Sequence, residues 1–101
     1  MTKKTTIALA CAGLLAPAVA LAQAPAPIPP GRLLASNCFQ CHGTDGRGGF
    51  DAIAGKSVGE IYKKLKEMQS KSPGDDLMVP HAMGYTDAQL RLIDGYLSTV
   101  K

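Results

Sequence analysis

Apolar positions recur at helical spacing in two stretches of this chain. Ile61, Leu65 and Met68 follow Ser57-Val58-Gly59-Glu60, a capping-box pattern, and predict a helix from about Val58 to Ser70. Lys63, Lys64, Lys66 and Glu67 fall mainly on its wetter side, an ordinary solvated face. Thr86-Asp87-Ala88-Gln89 is a second capping box, and Leu90, Ile93 and Leu97, joined by Tyr96, predict a final amphipathic helix to about Thr99. A shorter first helix is expected over Gly31 to Asn37, carrying Leu33, Leu34 and Ala35 toward Cys38 with its apolar side inward and Pro30-Gly31 marking its start. The fold class these elements imply is all-α.

The segments between them read as irregular. Gly43 to Gly49 has four glycines in seven positions and predicts a loop whose backbone passes close to its neighbours. Phe50, Ile53 and Ala54 are expected to pack inward behind it, with Gly55 closing the turn. Ser72 to Asp76 ends the middle helix, and Leu77 to Tyr85, which contains Pro80 and Gly84 and shows no period, predicts a further loop. Gln23 to Pro30 is dominated by Ala and Pro and predicts an extended leader of polyproline character.

The N-terminus changes what counts as the working chain. Met1 to Lys4 is a short basic stretch, Thr5 to Leu15 is apolar, and Ala20-Leu21-Ala22 is a small-x-small site before Gln23, which together predict a signal peptide removed as residues 1–22. The apolar run is too short for a membrane anchor and is interrupted by Pro17. Cys11 would leave with it. The formal charge of +3 is therefore misleading: without Lys3 and Lys4, the eleven Lys plus Arg become nine against eight Asp plus Glu, a net +1. That balance gives no case for nucleic-acid binding.

Cys38-Phe39-Gln40-Cys41-His42 carries the chemistry. Two thiols two residues apart, with a histidine directly after the second, form the attachment signature of c-type haem. Each sulfur makes a thioether to a vinyl group, and the imidazole takes an axial iron position. A disulfide, a thioredoxin-like dithiol or half a zinc site are the competing readings. A zinc site would need a second ligand pair, whereas the other histidine, His81, has no cysteine near it. The dithiol would need a βαβ setting that this chain lacks. Haem attachment also fits an oxidising compartment, the periplasm. A mature chain of about eighty residues gains little stability from an apolar core alone, and a buried porphyrin supplies the missing apolar mass.

The second axial ligand decides between electron transfer and small-molecule chemistry. Met68 is in phase with Ile61 and Leu65 and reads as core filler. Met78, His81 and Met83 all lie in the irregular segment, and spacing does not choose among them. Leu77 and Val79 give Met78 a dry surrounding, with Pro80 stiffening the chain behind it.

The motif Cys38 to Gly43, the glycine-rich loop, Ile53-Ala54-Gly55, Met78, Gly84-Tyr85-Thr86-Asp87 and Tyr96-Leu97 together resemble the small monohaem cytochromes c. More narrowly they resemble the cytochrome subunit of flavocytochrome c sulfide dehydrogenase. The resemblance covers nearly all of residues 31–101 as one cytochrome c domain, with 23–30 as leader. It implies three principal helices around one covalently bound haem c, the first and last crossing, with Tyr96 expected against Leu34. It also implies Met78 as the distal ligand, because family members place a methionine a short distance before the cap of the last helix. In related cytochromes a proline carbonyl accepts the ring N–H of the proximal histidine; here Asp51 stands in that region, with its carbonyl or its carboxylate as the contact.

The function so implied is periplasmic one-electron transfer through the haem edge near Cys38 and Cys41. The chain would then be the electron-accepting cytochrome subunit of an FAD-containing flavoprotein that oxidises sulfide, with substrate chemistry on the partner's flavin. Alternatives are a freely diffusing cytochrome c shuttling between respiratory or photosynthetic complexes, and a haem enzyme or gas sensor with an open distal site. By itself the chain would be an electron-transfer protein, and its part in an enzyme would be as the cytochrome subunit of a sulfide dehydrogenase complex.

Overall fold

The computed structural model describes the whole chain apart from Met1, Lys4, Thr5, Thr6, Leu9, Cys11, Ala16, Val19, Ala20 and Leu21. Most of the expected cleavage site, part of the basic stretch and Cys11 therefore lie outside the described residues. Among the described residues all regular structure is helical, with no strand. None of these helices is long and apolar enough to cross a membrane.

Helix α1 (Arg32–Ala35) and helix α2 (Phe39–His42) are joined by one tight 3-10 turn, Ser36–Cys38, so the first helical run carries the chain straight through the cysteine motif. Its start is set by Gly31, whose φ of 83° lies in the left-handed region that favours glycine. A Cβ here would sit 1.9 Å from the Leu92 carbonyl oxygen. Gly31 is thus where the first helix crosses the last, backbone against backbone. Tyr96, expected at that crossing against Leu34, turns its hydroxyl elsewhere, donating to Asp45 at 2.6 Å. It is Tyr85 whose hydroxyl donates to the Leu34 carbonyl, at 3.0 Å.

Helix α3 (Glu60–Gln69) begins two residues later than the periodicity predicted. The Ser57-to-Glu60 capping box does not form, because Gly59 takes the N-cap position at φ 91° and no side chain of its own segment caps it. The cap comes from the last helix, α5 (Asp87–Thr99). Asp94, 4% exposed, accepts the Gly59 N–H at 2.8 Å and the Tyr62 N–H at 3.1 Å. A carboxylate at the positive end of a helix is favoured twice, by hydrogen bonding and by the helix dipole. The Thr86–Gln89 capping box does form, with reciprocal hydrogen bonds of 3.2 and 2.9 Å.

The stretch from Leu77 to Tyr85 is not a loop. Met78–Met83 forms a short helix, α4, with Val79 and Ala82 fully buried on one side. Pro80 is tolerated because it lies in the first turn, where its missing N–H would have had no helical partner. Asp76 opens the helix by accepting the Met78 N–H at 2.8 Å. The core that these helices close around contains Ala35, Ile61, Leu65, Leu90, Ile93 and Leu97 among its buried members.

Candidate functional site

The cysteine motif sits in α2 and the turn before it. Cys38 is half-buried and Cys41 exposed, both with free thiols. Burial raises the Cys38 thiol above its ordinary pKa. After α2 the chain turns back at once. Gly49, at φ 70°, passes so near the Cys41 carbonyl that a Cβ would lie 2.0 Å from that oxygen, and the Phe50 N–H donates to the same carbonyl at 2.9 Å. This close return lays the backbone of the glycine-rich loop over α2. It leaves the Phe50 side chain 90% exposed, outside the clefts described next, whereas Ile53 does line one of them.

The return places Asp51 beside His42. The Asp51 backbone carbonyl lies 2.6 Å from His42 Nδ1. A carbonyl can only accept, so Nδ1 carries a proton, and in the neutral ring the lone pair is on Nε2. The structure therefore chooses the carbonyl over the carboxylate as the contact.

Two open clefts meet at His42. Cys38, His42, Leu65, Met78 and Ile93 line both. Cys41 and His81 line only the first, Met68 only the second, and Met83 neither. Of the four candidate distal ligands, Met78 alone thus faces both clefts. The remaining walls are mostly apolar, from Ile53, Ile61 and Leu97 in the larger cleft to Ala82 in the smaller. Two thiols, an imidazole with Nε2 free and a thioether, gathered around apolar space, form a donor set that a c-type haem can use.

Two residues that position the site were not singled out in the sequence. Asp94 anchors α3, and with it the wall residues Ile61 and Leu65. Asp45, in the glycine-rich loop at φ 56°, accepts from Tyr96 at 2.6 Å and from Arg32 at 3.2 Å, tying that loop to the first and last helices. The Tyr96 hydrogen bond first, and then Arg32, hold the Asp45 carboxyl below its ordinary range. The turn-forming Asp45-Gly46 pair was the available sequence signal for the second; nothing local marks the first.

A helical chain folded around a Cys-x-x-Cys-His turn and an apolar cleft has the layout of a c-type cytochrome, and the comparisons agree. The chain is 35% identical over 72 residues to the cytochrome subunit of sulfide dehydrogenase of Chlorobaculum tepidum, a match covering 69% of this chain and 66% of that protein. It is 34% identical over 65 residues to cytochrome c-552 of Acidithiobacillus ferridurans, covering 62% of this chain and 28% of that one. No protein-family model matches, and no solved structure does. The chain belongs with the c-type cytochromes and resembles the cytochrome subunit of sulfide dehydrogenase. It spans just under two thirds of the first relative's length and little over a quarter of the second's.

Proposed function

We propose that this chain is a periplasmic carrier of single electrons. One haem c would be attached through Cys38 and Cys41 and ligated by His42 and Met78. It would serve as the electron-accepting cytochrome subunit of a flavoprotein sulfide dehydrogenase. The observation that carries this reading is the convergence of Cys38, His42 and Met78 on both clefts, with His42 Nδ1 already committed to the Asp51 carbonyl. Residues 1–22 are removed on export, and residues 31–101 form the cytochrome c domain, with its principal helices around the haem.

When bound, the haem supplies the redox couple, an iron that gains and loses one electron. The residues of the chain do the rest. Cys38 and Cys41 would hold the haem by covalent thioether attachment. The Asp51 carbonyl orients the His42 ring and raises the basicity of Nε2. Met78 would hold the iron through its thioether sulfur, which would keep small molecules off the metal and raise the reduction potential relative to a bis-histidine site. Leu65, Ile93 and Leu97 keep water from the buried side, which limits reorganisation when the charge changes. Cys41 is exposed, so the attached edge is where an electron can leave or enter.

The test is a gentle purification from the native periplasm, following haem absorbance. Co-elution of flavin absorbance with a second, larger chain, and reduction of the haem on adding sulfide, is the expected result. A lone haem protein that sulfide leaves oxidised would instead make it a mobile carrier. Met78→Ala tests the site separately: the variant becomes high-spin and binds added ligands. An unchanged spin state would remove Met78 from the iron.

A further inference from the structure

Helix α4 has only six residues, far too few to hold its own shape in water. Its position must therefore come from tertiary ties. Val79 and Ala82 anchor one side by burial, and Asp76 holds the N-terminal end. The C-terminal end is held from α3. The Gln69 side chain, half-buried at the last position of α3, donates from Nε2 to the Ala82 carbonyl at 2.9 Å and to the Tyr85 carbonyl at 2.9 Å. An amide nitrogen has two N–H donors, and both are used on successive turns of the segment that leaves α4. The same amide's Oε1 lies 3.4 Å from Lys66 Nζ, which donates to it and fixes the orientation in which nitrogen faces the carbonyls. Tyr85 is itself tied to the first helix through Asn37, which donates to its hydroxyl at 2.9 Å, and through the Leu34 carbonyl. Gln69 thus joins α3, whose Leu65 and Met68 line the cleft, to the helix that carries Met78.

We propose that Gln69 is a positioning residue for the distal ligand: by clamping the end of α4 to α3 it holds Met78 at the distance and angle that iron ligation needs. This rests on Met78 being that ligand. A thioether is a weak ligand that is easily displaced, so its occupancy follows its placement. A small release of α4 therefore shows at the iron before it shows in the fold. The clamp explains why a glutamine sits at the C-terminal end of an otherwise lysine-rich helix.

The experiment compares haem-loaded wild type, Gln69→Leu, Gln69→Glu, Ser70→Ala and Met78→Ala. Gln69→Leu keeps the bulk and removes both donors; Gln69→Glu keeps the oxygen facing Lys66 and removes the donors at neutral pH. Ser70→Ala deletes a hydroxyl that bonds only to the Glu67 carbonyl of its own helix, and controls for general loosening. The readouts are the sulfur-to-iron charge-transfer band, the reduction potential and the affinity for added imidazole. Both Gln69 variants are expected to weaken the band, lower the potential and bind imidazole on the order of tenfold more tightly, as suits the loss of two hydrogen bonds. Lowering the pH should partly restore the band in Gln69→Glu, because a protonated carboxyl regains one donor. Ser70→Ala should match wild type in all three readouts. If wild type and Met78→Ala both lack the band, the ligand assignment fails and the clamp proposal with it. If Met78→Ala abolishes the band but the Gln69 variants keep wild-type imidazole affinity, Met78 is the ligand and Gln69 does not position it.

Discussion

Replacing Asp94 with Ala removes the cap of α3 without touching α3 itself. The carboxylate takes the N–H groups of Gly59 and Tyr62, at 2.8 and 3.1 Å, and is 4% exposed. Loss of an N-cap costs about 0.5–2 kcal/mol. A buried donor left without a partner costs about 1–3 kcal/mol. Gly59 and Tyr62 are only half-buried, so water can replace part of what is lost, and the sum comes down to about 2 kcal/mol. For a domain of this size that corresponds to a fall in Tm of roughly 8–16 °C. The assay is urea unfolding of the haem-loaded protein followed by helical circular dichroism, with the urea slope unchanged if the unfolded state is unaffected. Asp94→Asn keeps one acceptor oxygen and should fall between wild type and Asp94→Ala. A loss below about 0.5 kcal/mol, the range of an ordinary surface substitution, would refute the idea that α3 is capped from α5.

Gly31→Ala puts a methyl group within 1.9 Å of the Leu92 carbonyl oxygen at a backbone φ of 83°. Steric overlap and left-handed strain together cost about 3 kcal/mol or more, so thermal unfolding should show a variant that folds poorly or not at all. Asp45→Asn changes the acid limb of the stability curve. Because the folded Asp45 carboxyl lies below its ordinary range, its contribution is complete above the unfolded value of about 4 and is lost as pH falls through the lower folded value. Urea titrations from pH 6 down should therefore fall less steeply in the variant. Asp87, held low by Tyr62 and then Arg91, retains its own share of that slope. Asp51→Ala should leave the haem spectrum and potential near wild type, because His42 is met by the backbone carbonyl; a marked shift in potential would show that the side chain takes part.

Local pattern was enough for much of this molecule. The period of Leu90, Ile93 and Leu97 behind the Thr86–Gln89 capping box placed the last helix to its final residue, since both signals act within a few residues and agree. Cys38, Cys41 and His42 were legible as one unit because they fall within five positions, and the structure sets all three along one cleft. The middle helix was found but its start was not. A capping box is only a local offer, and the left-handed Gly59 together with a carboxylate from 35 positions away took precedence over it. Met78–Met83 escaped because six residues are too short for a period to emerge and Pro80 argues for a break, although burial of Val79 and Ala82 stabilises the turn.

The sequence by itself determined the helical class, the grouping of Cys38, Cys41 and His42, and the last helix, all of which depend on neighbours within one or two turns. Tertiary structure decided the rest. Gly31 became a crossing point only because Leu92 came to lie against it, and the Asp51 carbonyl became the partner of His42 only because Gly49 let the chain fold back over Cys41. Among Met68, Met78, His81 and Met83, only Met78 faces both clefts. That distinction depends on where α4 is packed, on ties that reach it from Asp76 and Gln69, and so on contacts between elements that no single stretch of the chain contains.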